Sequence, residues 1–139
     1  MEFSSLVIME INKDTKEFVK ELGSYEITDG AEYIKKLYYD GDKVNIIFST
    51  LKDVEDWQYY AIYDTFDESV FTNEGYDINE IEDEYNPTWN ICTDFIEDTQ
   101  AMESVLKDIC TIIKNEMERV FFEVNINEEE LKEEYSDIK

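Results

Sequence analysis

Apolar residues alternate with polar ones through the first half of the chain and then settle into a three- and four-residue rhythm in the second. Leu6-Val7-Ile8-Met9, inside the stretch Phe3 to Ile11, reads as a buried strand. The polar turn Asn12-Lys13-Asp14-Thr15-Lys16 follows, and Phe18, Lys20 and Leu22 alternating with Val19 and Glu21 predict a returning strand. The aromatic stretch from Ala31 to Tyr39 also suits a strand. It leads into Asp40-Gly41-Asp42, a tight-turn signal between apolar runs, and Val44-Asn45-Ile46-Ile47-Phe48 is its partner. Beyond a turn at Lys52 to Asp56, Trp57, Tyr59, Ala61 and Tyr63 alternate with Gln58, Tyr60, Ile62, Asp64 and Phe66, which predicts one more strand. Residues 1–66 therefore read as an antiparallel meander.

Residues 67–93 break the rhythm. Ile78 and Ile81 hint at a helical turn, but Gly75 and the density of acids favour a long surface connection. After Pro87, Trp89 and Ile91 within Thr88 to Thr93 suggest a last strand. Over 94–122, Phe95, Met102, Val105, Leu106, Ile109, Cys110, Ile113, Met117, Val120 and Phe121 recur on one helical face. Asp94 is placed to cap that helix, with Glu97 completing a capping box. Residues 127–139 read as a short acidic helix or tail, with Leu131, Tyr135 and Ile138 as its apolar edge. The expected fold is a single α+β domain. It has a mainly antiparallel sheet of five to six strands, one long C-terminal helix packed on one face, and a short acidic terminal helix.

Charge changes this picture from a plain domain to an anionic one. The 139 residues carry 36 acids against 12 bases and no His, a formal net charge of −24. Between Asp53 and Leu106 no Lys or Arg occurs, yet that stretch holds half of all the aromatic residues. Disordered acidic tails lack aromatics, so the pattern predicts carboxylates displayed by a folded scaffold with a large negative field. Nucleic acid and anionic membranes are repelled by such a field. Basic proteins and cations are attracted.

Catalytic motifs are missing. Without His there is neither a Ser-His nor a Cys-His nucleophile, and the four Gly form no phosphate-binding loop. Asp77-Ile78-Asn79 begins like an EF-hand loop but fails at Ile81, at Glu82 where Gly is required, and at Thr88 where a bidentate Glu belongs. Cys92 and Cys110 have no metal-like spacing, and Cys110 falls on the apolar helix stripe, so no metal or cofactor is implied. The N-terminal residues lack the basic start and apolar run of a signal peptide, so a cytoplasmic location is expected.

The expected function is non-enzymatic binding. Such a protein engages or neutralises a basic partner, in the manner of an inhibitor, an immunity protein or a nucleic-acid mimic. The candidate contact residues are the acids Asp67, Glu68, Glu74, Asp77, Glu80, Glu82, Asp83 and Glu84 and the flanking aromatics Trp57, Tyr60, Tyr85 and Trp89. The alternative is a structural or regulatory domain that forms homo-oligomers through a Tyr-rich sheet face. A cation-dependent sensor or enzyme is the third.

Overall fold

A computed structural model describes residues 4–135. The strands are β1 (Ser4–Ile11), β2 (Phe18–Ile27), β3 (Ile34–Tyr39), β4 (Val44–Ser49), β5 (Asp77–Ile81) and β6 (Thr88–Thr93). The helices are α1 (Asp56–Thr65), α2 (Ser69–Thr72), α3 (Thr99–Ile126) and α4 (Glu128–Tyr135). Phe3 and Ile138, assigned above to the first strand and the last helix, lie outside the described residues.

The α+β class is as expected: one six-stranded sheet in the order β2-β1-β3-β4-β6-β5, mostly antiparallel, with α3 and α4 at the C-terminal end. It is not a simple meander, because β1 pairs in parallel with β3. The chain passes from edge strand β2 back across β1 through a single 3-10 turn at Ala31–Tyr33. That crossing depends on Gly30, whose φ is +88°; a Cβ there would sit 2.1 Å from the Cys110 carbonyl oxygen of α3. The β3–β4 turn is built as its sequence implies. Gly41 takes φ +93°, and Asp40 Oδ1 accepts the N–H groups of Asp42 and Lys43 at 2.9 Å each.

The stretch 57–66 is a helix, not the predicted strand. Trp57, Ala61, Ile62 and Phe66 are buried at helical spacing, and Gln58 Oε1 accepts the Glu55 N–H at 2.9 Å at the start. Strand-like alternation existed only because nearly every residue there is large and apolar or aromatic. Conversely, the hinted helical turn at 78–81 is strand β5, with Ile78 buried against the core and Glu80 exposed. Residues 67–86 are thus α2, β5 and a tight turn, not one long connection.

Helix α3 is 28 residues long, about 40 Å, and runs to Ile126. Its cap is Asp98, which accepts the Ala101 N–H at 2.9 Å. Asp94 stays at the end of β6 and pairs with Lys43 at 2.5 Å. On the core side, Val44, Ile46 and Phe48 of β4 and Trp89 and Ile91 of β6 share one buried core with Met102, Leu106, Ile109, Ile113 and Met117 of α3. All are at most 1% exposed, and burying side chains of this size stabilises the fold by roughly 1.5–3 kcal/mol each before entropy. No described helix covers the other face of the sheet. Of the tyrosines on strands, register leaves only Tyr38 there, since it pairs with Asn45, whereas Tyr25 and Tyr39 turn to the core side. The Tyr-rich sheet face behind the self-association reading does not form. No described helix is long and apolar enough to cross a membrane.

Candidate interaction surface

The aromatics threaded among the acids form the core that carries them. Trp89 stacks on Phe66 at 4.3 Å and on Phe48 at 5.2 Å between ring centroids. Phe71 of α2 stacks on Phe66, and Tyr63 of α1 meets Trp89 edge-on at 5.1 Å. The Tyr63 hydroxyl accepts the Thr88 N–H at 2.9 Å, where β6 begins. Burial pushes this phenol well above the ordinary tyrosine value. The Tyr76 hydroxyl, leading into β5, donates to Asp108 of α3 at 2.8 Å. So α1, α2, β4 and β6 are joined through rings, and β5 is tethered at its start to α3 by Tyr76.

The predicted acids then sort themselves. Asp77 and Glu80 lie on β5, an edge strand of the sheet, and Glu82, Asp83 and Glu84 form the β5–β6 turn, all exposed. Asp83 takes φ +67°, a left-handed conformation suited to a tight turn. Charge along an edge also discourages another strand from adding to it. Glu74 is exposed ahead of β5. Asp67 accepts the hydroxyl and N–H of Ser69, which hold its carboxyl below the ordinary range. Glu68 is half-buried; burial, and then the charge of Glu80, push it up.

That direction gives a testable sign. A carboxyl with a raised folded-state pKa adds stability below its unfolded pKa and loses it as pH climbs through the folded value. At neutral pH the Glu68 charge therefore opposes folding. Glu68→Gln is expected to raise the melting temperature at pH 7 by a degree or two, roughly, and to leave it unchanged at pH 4, as scanning calorimetry would check.

The four predicted aromatic anchors part company. Trp89 is fully buried and Trp57 is 8% exposed, so both are core residues and not contact residues. They lay within reach of the acids in sequence, but their size drove them inward. Tyr60 is 38% exposed and stacks on Tyr135 of the acidic helix α4. Tyr85, beside Glu84 at the turn, is 76% exposed and is the free aromatic of the set.

Two features escaped the sequence reading. Glu116, on the buried stripe of α3, is 4% exposed and accepts from Arg119 Nε at 2.8 Å and Nη2 at 2.6 Å. It also accepts the Asp67 N–H at 2.7 Å, while Arg119 donates to the Thr65 carbonyl at 2.8 Å. The signal was an acid on an apolar stripe with the chain's one Arg a turn away. The second is a groove of about 470 Å³ between the 51–54 loop and the C-terminal half of α3, floored by Tyr33, Met117 and Phe121. Asn86 ties this loop to the acidic turn, accepting from Val54 N–H and donating to Asp53, both at 3.0 Å. The acidic hairpin is thus anchored to the loop that lines the groove.

The model of a family of unknown function, DUF6762, matches residues 1–135. The chain belongs to that family. No curated protein and no solved structure matches it. This DUF6762 chain carries a formal net charge of −24, and Asp77, Glu80, Glu82, Asp83 and Glu84 are exposed on it. No group of three or more Asp, Glu, Cys or His side chains that could hold a metal occurs among the described residues. Cys110 is buried, its thiol pushed up to about 12 by burial, which leaves it a packing residue at neutral pH.

Proposed function

We propose that this protein binds a basic partner protein, drawing it in by long-range attraction and docking it beside Tyr85. The observation that carries the reading is the β5–β6 hairpin. Asp77, Glu80, Glu82, Asp83 and Glu84 are exposed on it, next to an aromatic with three quarters of its surface in water. Carboxylates held on a hydrogen-bonded hairpin keep a fixed spacing, which a loose acidic tail cannot do. A fixed pattern favours one arrangement of Lys and Arg over others. Tyrosine offers an apolar ring and a hydroxyl to a contact that is half wet. The charges set the encounter rate, and Tyr85 acts on the lifetime of the complex.

The test is kinetic. Partners are captured from the source cell at low salt and identified, and their association is followed by stopped flow. The on-rate should fall at least tenfold, roughly, as salt rises from about 0.05 to 0.5 M. The triple variant Glu82→Gln, Asp83→Asn, Glu84→Gln should lower the on-rate at low salt and flatten that slope, while Tyr85→Ala should mainly speed dissociation. An on-rate indifferent to salt and to the triple variant would remove the proposal.

A further inference from the structure

Resting on the binding reading above, we infer that the groove between the 51–54 loop and α3 seats a basic amphipathic segment of the partner, apolar side chains inward and Lys or Arg outward. The floor is apolar: Met117 and Tyr33 are buried and Phe121 and Val54 partly so. Leu51 stands at the rim with half its surface exposed. A volume of about 470 Å³ falls within the range of natural ligand clefts. An apolar hollow of this kind is filled by helical segments that present anchors every three or four residues.

Charge decides which kind of segment. Asp53 and Glu118 border the groove against one cation, Lys52, although Glu118 is also paired with Lys114 at 3.2 Å. The elbow between α3 and α4, which shares Asn125 with the groove, is a hollow of about 640 Å³ lined by Ile126, Glu128, Glu129, Glu130 and Glu133, with Glu128 paired to Lys132 at 3.4 Å. At the other end Asn86 joins it to the acidic hairpin. An apolar trough with carboxylates near both ends disfavours an acidic helix and favours one whose flanks are cationic over a neutral one. A second copy of this chain, at net charge −24, is a poor occupant for the same reason.

The probe is a synthetic Leu/Lys peptide of about five helical turns with Leu on one face, and the control is the same composition in scrambled order. Binding is read by fluorescence anisotropy in about 0.15 M salt, with Leu51→Glu as the diagnostic variant. Leu51 is half exposed, so the fold should tolerate the change, which circular dichroism would check. The variant adds negative charge while spoiling the apolar rim. The amphipathic peptide should bind wild type about tenfold more tightly than the scrambled one, and Leu51→Glu should weaken it about tenfold. If both peptides bind alike, or Leu51→Glu binds as tightly or more so, the attraction is charge alone. The groove inference is then overturned while electrostatic docking at the hairpin stands. If sedimentation shows a dimer that Leu51→Glu dissociates, the occupant is a second copy and the inference is again overturned. A groove preference that persists beside a salt-independent partner on-rate would instead sink the steering reading alone.

Discussion

Trp89→Ala should cost this protein about 3–5 kcal/mol of stability, the range for deleting a large aromatic from a packed interior. The ring is fully buried, with Phe66, Phe48 and Tyr63 within 4.3–5.2 Å between centroids. Removing it leaves a void among aromatics from β4, α1 and the α1–α2 junction, none of which can collapse alone. Urea unfolding should show an earlier midpoint at an unchanged slope. Trp89→Phe should be far milder, about 1 kcal/mol. The indole N–H is buried with no hydrogen-bond partner among the described residues, so its loss relieves a desolvated donor and offsets part of the lost area. Tyr85→Ala, at the exposed turn, should stay within about 0.5 kcal/mol of wild type. The pair separates core from contact: a Trp89→Ala protein as stable as wild type but unable to bind would put the indole back on the interaction surface.

How much of this was legible in the sequence follows from which signals are local. The Asp40-Gly41 turn and the α3 stripe were readable because each needs only neighbouring residues and one period. Helix α1 was not, since a run such as Trp57-Gln58-Tyr59-Tyr60-Ala61-Ile62-Tyr63 is apolar or aromatic at almost every position and satisfies both periods at once. The Gln58 side chain at the Glu55 N–H was the overlooked helix signal. The cap of α3 moved from Asp94 to Asp98 because two acids four residues apart compete, and Lys43 claimed the first. The parallel β1–β3 pair was invisible in principle: hydrophobic alternation tells which face a strand buries, not which strand lies beside it. For the candidate surface, the acids were readable as a class. Their sorting onto an edge strand and turn, and the inward turn of Trp57 and Trp89, are consequences of packing. The groove joins the 51–54 loop to residues 117–125, and no motif links them.

The second large effect lies at Arg119. Arg119→Met keeps the aliphatic stem and removes the guanidinium, leaving the Glu116 carboxylate buried with one remaining donor, the Asp67 N–H. A stranded buried charge is what makes such changes severe, and the expected loss is about 3 kcal/mol, at the low end of that class because Arg119 itself is 39% exposed and water can reach the gap. Glu116→Gln should cost less, about 1–2 kcal/mol. Its amide oxygen still accepts from Asp67, and Arg119 retains Glu123 at 3.1 Å and the Thr65 carbonyl. Combining the two should cost less than the sum, because the double variant contains no uncompensated anion; a coupling of about 1–2 kcal/mol is expected from the cycle. Strictly additive losses would mean that the pair is ornamental. The clamp matters to the surface as well as to the fold, since it fixes the carbonyl of Thr65 and the N–H of Asp67 on either side of Phe66. In Arg119→Met, hydrogen exchange across residues 65–72 should therefore quicken before that of β4 or α3 does. Asp67 and Glu68 would then lose their fixed positions while the sheet stays intact, and partner association should slow even though the loss of one positive charge by itself favours attraction of a basic partner.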